Sequence, residues 1–141
     1  MALISVPYDY TGQDVSTLLG AEDLKMALWN QDSYALYPDA LCKNLNCGKA
    51  YFLKLSQKAV LMTKGAELNK AVPSRITLND GWNMIGDPFT GDSIPWANCK
   101  VEVDQTQYSM TEAVTKGFVR EMLWEYNTGT GSYQSSQQLQ P

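Results

Sequence analysis

Carboxylates dominate the reactive side chains of this 141-residue sequence, which holds fifteen Asp and Glu, eleven Lys and Arg, and no histidine. A glycosidase-type reaction needs two carboxyl groups at a defined separation, one of them kept protonated. A pair such as Glu112 and Glu121 would have to serve. Ser109-Met110-Thr111-Glu112 spells a helix capping box, however, which engages Glu112 in helix initiation, and nothing in the neighbourhood of Glu121 marks it out. Asp80, Asp87, Asp92 and Asp104 raise the question of calcium, but their spacing matches neither an EF-hand nor an Asp-x-Asp-x-Asp run. Turn and cap roles account for Asp80 and Asp92. Of the three cysteines, Cys99 has no histidine to activate it and reads as a buried thiol. Cys42 and Cys47 could close a small loop, yet an odd count fits three free thiols in a reducing compartment better. Without histidine the chain lacks the commonest general base and the usual zinc ligand. The expectation is therefore a non-enzyme with no metal and no cofactor; a carboxylate-dependent hydrolase is the remote alternative.

Aromatic residues are the remaining candidates for contact with a ligand. Trp96 stands in the Pro-containing loop "GDSIPWANC", and aromatic residues on loops are frequent binding groups. Tyr8 and Tyr10 follow Pro7, and Phe89 follows Pro88. These four form the candidate ligand-binding set, for a small molecule or a sugar ring stacked on an aromatic face. Trp82, with Asn83 and Asp87 beside it, offers a second platform. Its place between Leu78 and Ile85 instead directs the ring into the core, with Gly81 supplying a turn and Asn83 tying off backbone groups. Trp29 and Trp124 are expected in the core on the same reasoning.

The elements that must position these groups are mainly β. "RITLNDGWNMIG" carries the tight-turn signal Asn79-Asp80-Gly81. "AYFLKLSQKAVLMT" reads as strand, turn at Ser56-Gln57, and second strand. Alternation in "KVEVDQTQYSM" puts Val101 and Val103 on one face. A two-turn helix over about 110–116 follows from the capping box and the stop at Gly117. "DVSTLLG" predicts a second short helix, with Asp14 as N-cap and Gly20 as stop. Residues 128–141, polar and Gly-rich, read by composition as a flexible tail, whereas the match to the segment that leads into a strand in the first half argues that Tyr133 and Leu139 are pinned down.

The order of these signals repeats. Ile4–Tyr8 and Ile85–Phe89 both read Ile-x-x-Pro-aromatic. Each short helix is followed by Leu-Trp, at Trp29 and Trp124, then a polar turn and a tyrosine. Leu45-Asn46-Cys47 is echoed by Leu139-Gln140-Pro141. We expect a single domain over 1–141: a β-rich α+β fold in which two degenerate repeats of strand, short helix, strand and hairpin, over about 3–62 and 75–141, share an aromatic core. A unit lacking one strand leaves an open sheet edge, which predicts a homo-oligomer made by strand exchange or edge pairing.

Gly81–Pro88, Trp124–Tyr126 and Gly48–Phe52 together resemble a module repeated in bacterial secreted and cell-surface proteins. Its pattern is Gly-Trp-Asn-aliphatic-small-x-Pro, then Trp-x-Tyr, then Gly-x-small-Tyr-aromatic. In this chain the hallmark residues are Gly81, Trp82, Asn83 and Pro88, with Trp29, Trp124, Gly48 and Tyr51. The resemblance implies a non-catalytic structural or binding module at an extracellular or cell-surface location. The first residues show no basic and apolar leader of the signal-peptide kind. No apolar run approaches the ~20 residues of a membrane helix. A formal charge of −4 without a basic stripe argues against nucleic acid as partner. A glycan or small ligand, or a second copy of the chain, remains as partner.

Overall fold

Two capped helical turns and a series of hairpins, built from local signals, are joined by strand pairings that no local signal announces. The computed structural model describes residues 1–10, 12–60 and 65–139. The protein is strand-rich, with two short helices and several small antiparallel sheets, so the mainly β expectation holds. Its contacts divide it into two compact units, Met1–Gly91 and Asp92–Gln140. The second repeat was expected to start near position 75; the unit boundary falls at Gly91.

The first unit runs β1 (Ala2–Ser5), β2 (Tyr8–Asp9), α1 (Val15–Leu19), β3 (Lys25–Asn30), β4 (Ser33–Leu36), β5 (Ala50–Lys54) and β6 (Ala66–Glu67). Its main sheet has the order β1-β5-β3-β4, and each neighbouring pair is antiparallel. Helix α1 starts as expected: the Asp14 carboxylate accepts the Ser16 N–H at 2.9 Å, and Gly20 ends the turn in the left-handed region at φ 59°. The apolar positions Val15, Leu18 and Leu19 lie at i, i+3 and i+4, so they share one face. That face is buried in a cluster with Met26 and Leu28 of β3 and Tyr51 and Leu53 of β5. Asp14 also accepts from the Tyr37 hydroxyl at 3.1 Å and lies 3.7 Å from the Lys43 ammonium. The hydrogen bonds from Ser16, more than the lysine, hold its carboxyl below the usual value.

Segment 84–86 joins this sheet from far along the chain. Ala50 N–H donates to the Met84 carbonyl at 3.2 Å, and Gly86 N–H donates to Gly48 at 3.1 Å. Glycine is required at 86 because a Cβ there would sit 2.2 Å from the Ser5 Cβ. Before this segment the chain makes the expected turn, with Gly81 at φ 82°. The Asn83 side chain closes it, accepting the Asn79 N–H at 2.9 Å and donating to the Asn79 and Gly81 carbonyls. Residues 76–83 form no strand. The core placement of Trp82 must therefore be corrected: it is 66% exposed, on a loop rather than on a strand. The second strand expected after Ser56-Gln57 is absent over Lys58–Val60, and its remainder lies outside the described residues.

The second unit runs β7 (Ile94–Pro95), a 3-10 turn at Trp96–Asn98, β8 (Lys100–Val103), β9 (Thr106–Ser109), α2 (Met110–Thr115), β10 (Leu123–Asn127), β11 (Ser132–Ser136) and β12 (Gln138–Leu139). Strands β8 and β9 form a hairpin through Asp104 and Gln105, both with positive φ, as a two-residue primed turn demands. Ser109 and Glu112 form the reciprocal capping box that starts α2. Residues 128–139 are not a loose tail here. The Asn127 side chain accepts N–H bonds from Gly129 and Thr130 at 2.9 and 3.2 Å, which turns the chain into β11 opposite β10. Strand β12 then pairs with β7. The echo at Leu139-Gln140-Pro141 extends outside the described residues after Leu139, which is buried.

Candidate functional site

Trp96 lies where sequence reasoning put it, in a loop of the second unit, but its ring is buried to 8% exposure. Its expected role as an exposed stacking surface needs correction. Two contacts from distant parts of the chain hold it in. Its backbone N–H donates to the Gln137 carbonyl at 2.7 Å, and its indole Nε1–H donates to the Arg120 carbonyl at 3.3 Å. Trp96 thereby forms one wall of a cleft of about 420 Å³. Met110, Thr111, Val114 and Thr115 line another wall, since positions i, i+1, i+4 and i+5 share one side of α2. Glu121, Gln137 and Gln138 complete the polar part of the lining.

The chemistry available in this cleft is that of recognition. Its size suits a small ligand. Thr, Gln and Glu side chains supply donors and acceptors around an indole edge and aliphatic carbons, a mixture that suits a polar ring with one apolar face. One carboxylate, Glu121, lines it. Glu112 points its carboxylate back at the Ser109 hydroxyl and N–H, at 2.7 and 2.8 Å, and these bonds lower its pKa. Among the described residues no group of three or more His, Cys, Asp or Glu could hold a metal ion.

The other expected ligand-binding residues belong to the first unit. Tyr10 is buried at 2% exposure and so presents little surface, a correction to its expected role. Its ring centroid lies 6.4 Å from that of the half-buried Tyr8. Tyr8 pairs in the sheet with Glu67, which explains its limited reach. Phe89 is half-buried, and its N–H donates to the fully buried Asp87 carboxylate at 2.8 Å. A smaller cleft of about 130 Å³ in this unit is lined by Trp29, Lys49, Asn79, Asn83 and Met84.

The expected structural residues divide. Tyr51 is fully buried, and its hydroxyl accepts from the Asn46 N–H and Nδ2 at 3.0 and 3.3 Å. Gly48 sits at φ 79°, where a Cβ would come within 2.9 Å of Ile76. Pro88 is buried. Trp29 is half-buried against Tyr34, with ring centroids 4.9 Å apart. Trp124, expected in the core, is 48% exposed. It stands on a two-stranded ladder, which offers its ring no covering layer. Cys42, Cys47 and Cys99 are free thiols; Cys42 is buried, whereas Cys99, expected to be buried, is only half-buried, a correction to its expected place. Burial pushes the Cys42 thiol up to about 11.

Sequence reasoning missed Thr111, Thr115, Gln137 and Gln138. The helical spacing of the first two was visible, but their neighbours in the cleft come from β7 and β12, whose pairing is non-local. In comparison with known proteins, no family model, curated protein or solved structure matches the chain.

Proposed function

We propose that this protein is a non-catalytic structural and binding module, of the kind repeated in bacterial secreted and cell-surface proteins, and that it binds through the α2 cleft. One observation carries the reading. A short capped helix leads, at the same distance along the chain, into a Leu-Trp strand and its hairpin partner in both units, from Asp14 to Leu28 and from Ser109 to Leu123. The first unit buries Val15, Leu18 and Leu19 of its helix; the second buries Met110 and Ala113 of its own, while Thr111, Val114 and Thr115 line a cleft beside it. A repeated scaffold with the larger cleft beside its second helix supports a binding role for that copy.

The cleft's Trp96 and its Thr and Gln side chains favour a second, narrower reading, a carbohydrate or small polar ligand held without turnover. Titrating ¹⁵N-labelled protein with a panel of mono- and oligosaccharides tests it. Saturable shifts at residues 95–97, 110–115, 121 and 137–138 are expected for at least one sugar. A panel that moves none of these amides removes the sugar reading. Slow conversion of a bound sugar would refute the non-catalytic assignment itself.

A further inference from the structure

The Trp96 indole does more than form a wall. Its Nε1–H bond to the Arg120 carbonyl, at 3.3 Å, holds the peptide unit that joins Arg120 to Glu121. Glu121 is thereby placed at the cleft of about 420 Å³, which it lines beside the buried Met110. Among the described residues that line this cleft, Glu121 alone is charged. Its carboxylate has no hydrogen-bond or ion-pair partner among the described residues. Neither neighbouring cation lines the cleft: Arg120 does not, and Lys116 holds its ammonium over the Tyr108 ring, 5.4 Å from the centroid.

The uncharged groups narrow the choice of ligand further. The Thr115 hydroxyl donates its proton to the Thr111 carbonyl at 2.8 Å, so only its lone pairs remain for a ligand. The Gln138 Oε1 accepts the Ser93 hydroxyl at 2.8 Å, so its amide N–H groups remain as donors. The cleft thus offers two groups that only accept, one of them an anion, together with an amide that donates. A neutral hydroxyl brings one proton and leaves the carboxylate charge unmatched. An ammonium brings three donors, no acceptor and the opposite charge.

We propose that this cleft takes a small polyol carrying an unacylated amine, an amino sugar in its ammonium form. The inference rests on reading the cleft as a site for a small polar ligand, and it names the charge of that ligand. The ammonium is received by Glu121 and Thr115, a ring or hydroxyl oxygen accepts from Gln138, and the carbon face lies on Val114 and the Trp96 edge. Acylation of the amine removes its charge and with it the preference.

The probes are glucosamine, glucose and N-acetylglucosamine, each titrated into the ¹⁵N-labelled full chain at about pH 6, where an amine is charged. Saturable shifts are expected at residues 96–97, 110–115, 121 and 137–138. Glucosamine is expected to bind about two- to fivefold more tightly than either neutral sugar, the range of an exposed ion pair. This preference shrinks as salt is raised to about 1 M. In Glu121→Gln protein the preference is lost while glucose binds as in the parent. The site is exposed, so the fold is kept. Glu125→Gln, on β10 and outside the cleft lining, keeps the preference. Equal affinity for glucosamine and glucose, or a preference that survives in Glu121→Gln, overturns the amine and leaves the cleft a neutral-sugar site. If none of the three sugars moves these amides, the amine and the sugar reading fall together.

Discussion

Removing one oxygen atom from Tyr51 tests how the core of the first unit is held. In Tyr51→Phe the ring keeps its packing on β5, where the residue has no exposed surface. What is lost is the acceptor for two donors of Asn46, its backbone N–H at 3.0 Å and its side-chain Nδ2 at 3.3 Å. Asn46 is half-buried, so its flexible amide group can turn to water. The backbone N–H has no such freedom. The cost is that of one poorly satisfied buried donor, about 1–2 kcal/mol. With a urea m-value of about 2 kcal/mol/M, the unfolding midpoint falls by roughly 0.5–1 M. Urea unfolding followed by far-UV circular dichroism reads this shift. Tyr133→Phe, at a 53% exposed site, serves as control and is expected to stay within about 0.5 kcal/mol of the parent. A Tyr51→Phe midpoint indistinguishable from the control refutes the reasoning, since the hydroxyl then contributes nothing that water does not replace.

Three further outcomes are expected. Trp82→Ala costs under about 1 kcal/mol despite the size of the deletion, against about 3–5 kcal/mol for a core aromatic, because the ring is 66% exposed; a core-sized loss in thermal melting returns Trp82 to the interior. Gly86→Ala destabilises by about 1–3 kcal/mol because its Cβ meets the Ser5 Cβ. Ser5→Gly removes that obstacle, so the double variant recovers most of the loss in a urea cycle, and an additive result excludes the clash as cause. Stability also falls as pH rises from 9 to 11. The buried Cys42 thiol ionises near 9.0 when unfolded and near 11 when folded, so in that window the unfolded chain releases a proton that the folded one retains. The loss is about 2–3 kcal/mol. The buried Tyr51 phenol, also raised, adds a slope of the same sign. Urea midpoints at pH 8, 9.5 and 11 measure the slope, which flattens in part in Cys42→Ala; an equal slope in that variant removes Cys42 as its source.

What the sequence made legible was whatever a few neighbouring residues decide. Both helix starts depend on a side chain two or three positions from its target, Asp14 to Ser16 and Ser109 to Glu112. The Leu-Trp strands and the turn closed by Asn83 are equally local. Burial depends on what lies across the sheet, and that was hidden. Trp82 has aliphatic neighbours along the chain, yet it is Met84–Gly86 beyond it that pair with Gly48–Ala50. Trp96 looked like a surface residue because its loop holds proline and polar residues. The groups that bury it, Gln137 and Arg120, are far along the chain. The cleft was illegible for the same reason: its helix wall follows from periodicity, while its other walls follow from the pairing of β7 with β12.

The position of β5 in the sheet bears on how the chain acquires its structure during synthesis. Helix α1 and the β3–β4 hairpin can form as soon as they leave the ribosome, since each needs only nearby residues. Strand β1 is made before them all and waits until Ala50–Lys54 has emerged. The segment that caps the start of β5 arrives later still, at Met84–Gly86. Throughout that interval Leu3 and Ile4 offer an unpaired apolar edge to any other nascent strand. The sheet of the first unit thus grows from its β4 edge across to β1, and its earliest-made strand is among the last to be secured.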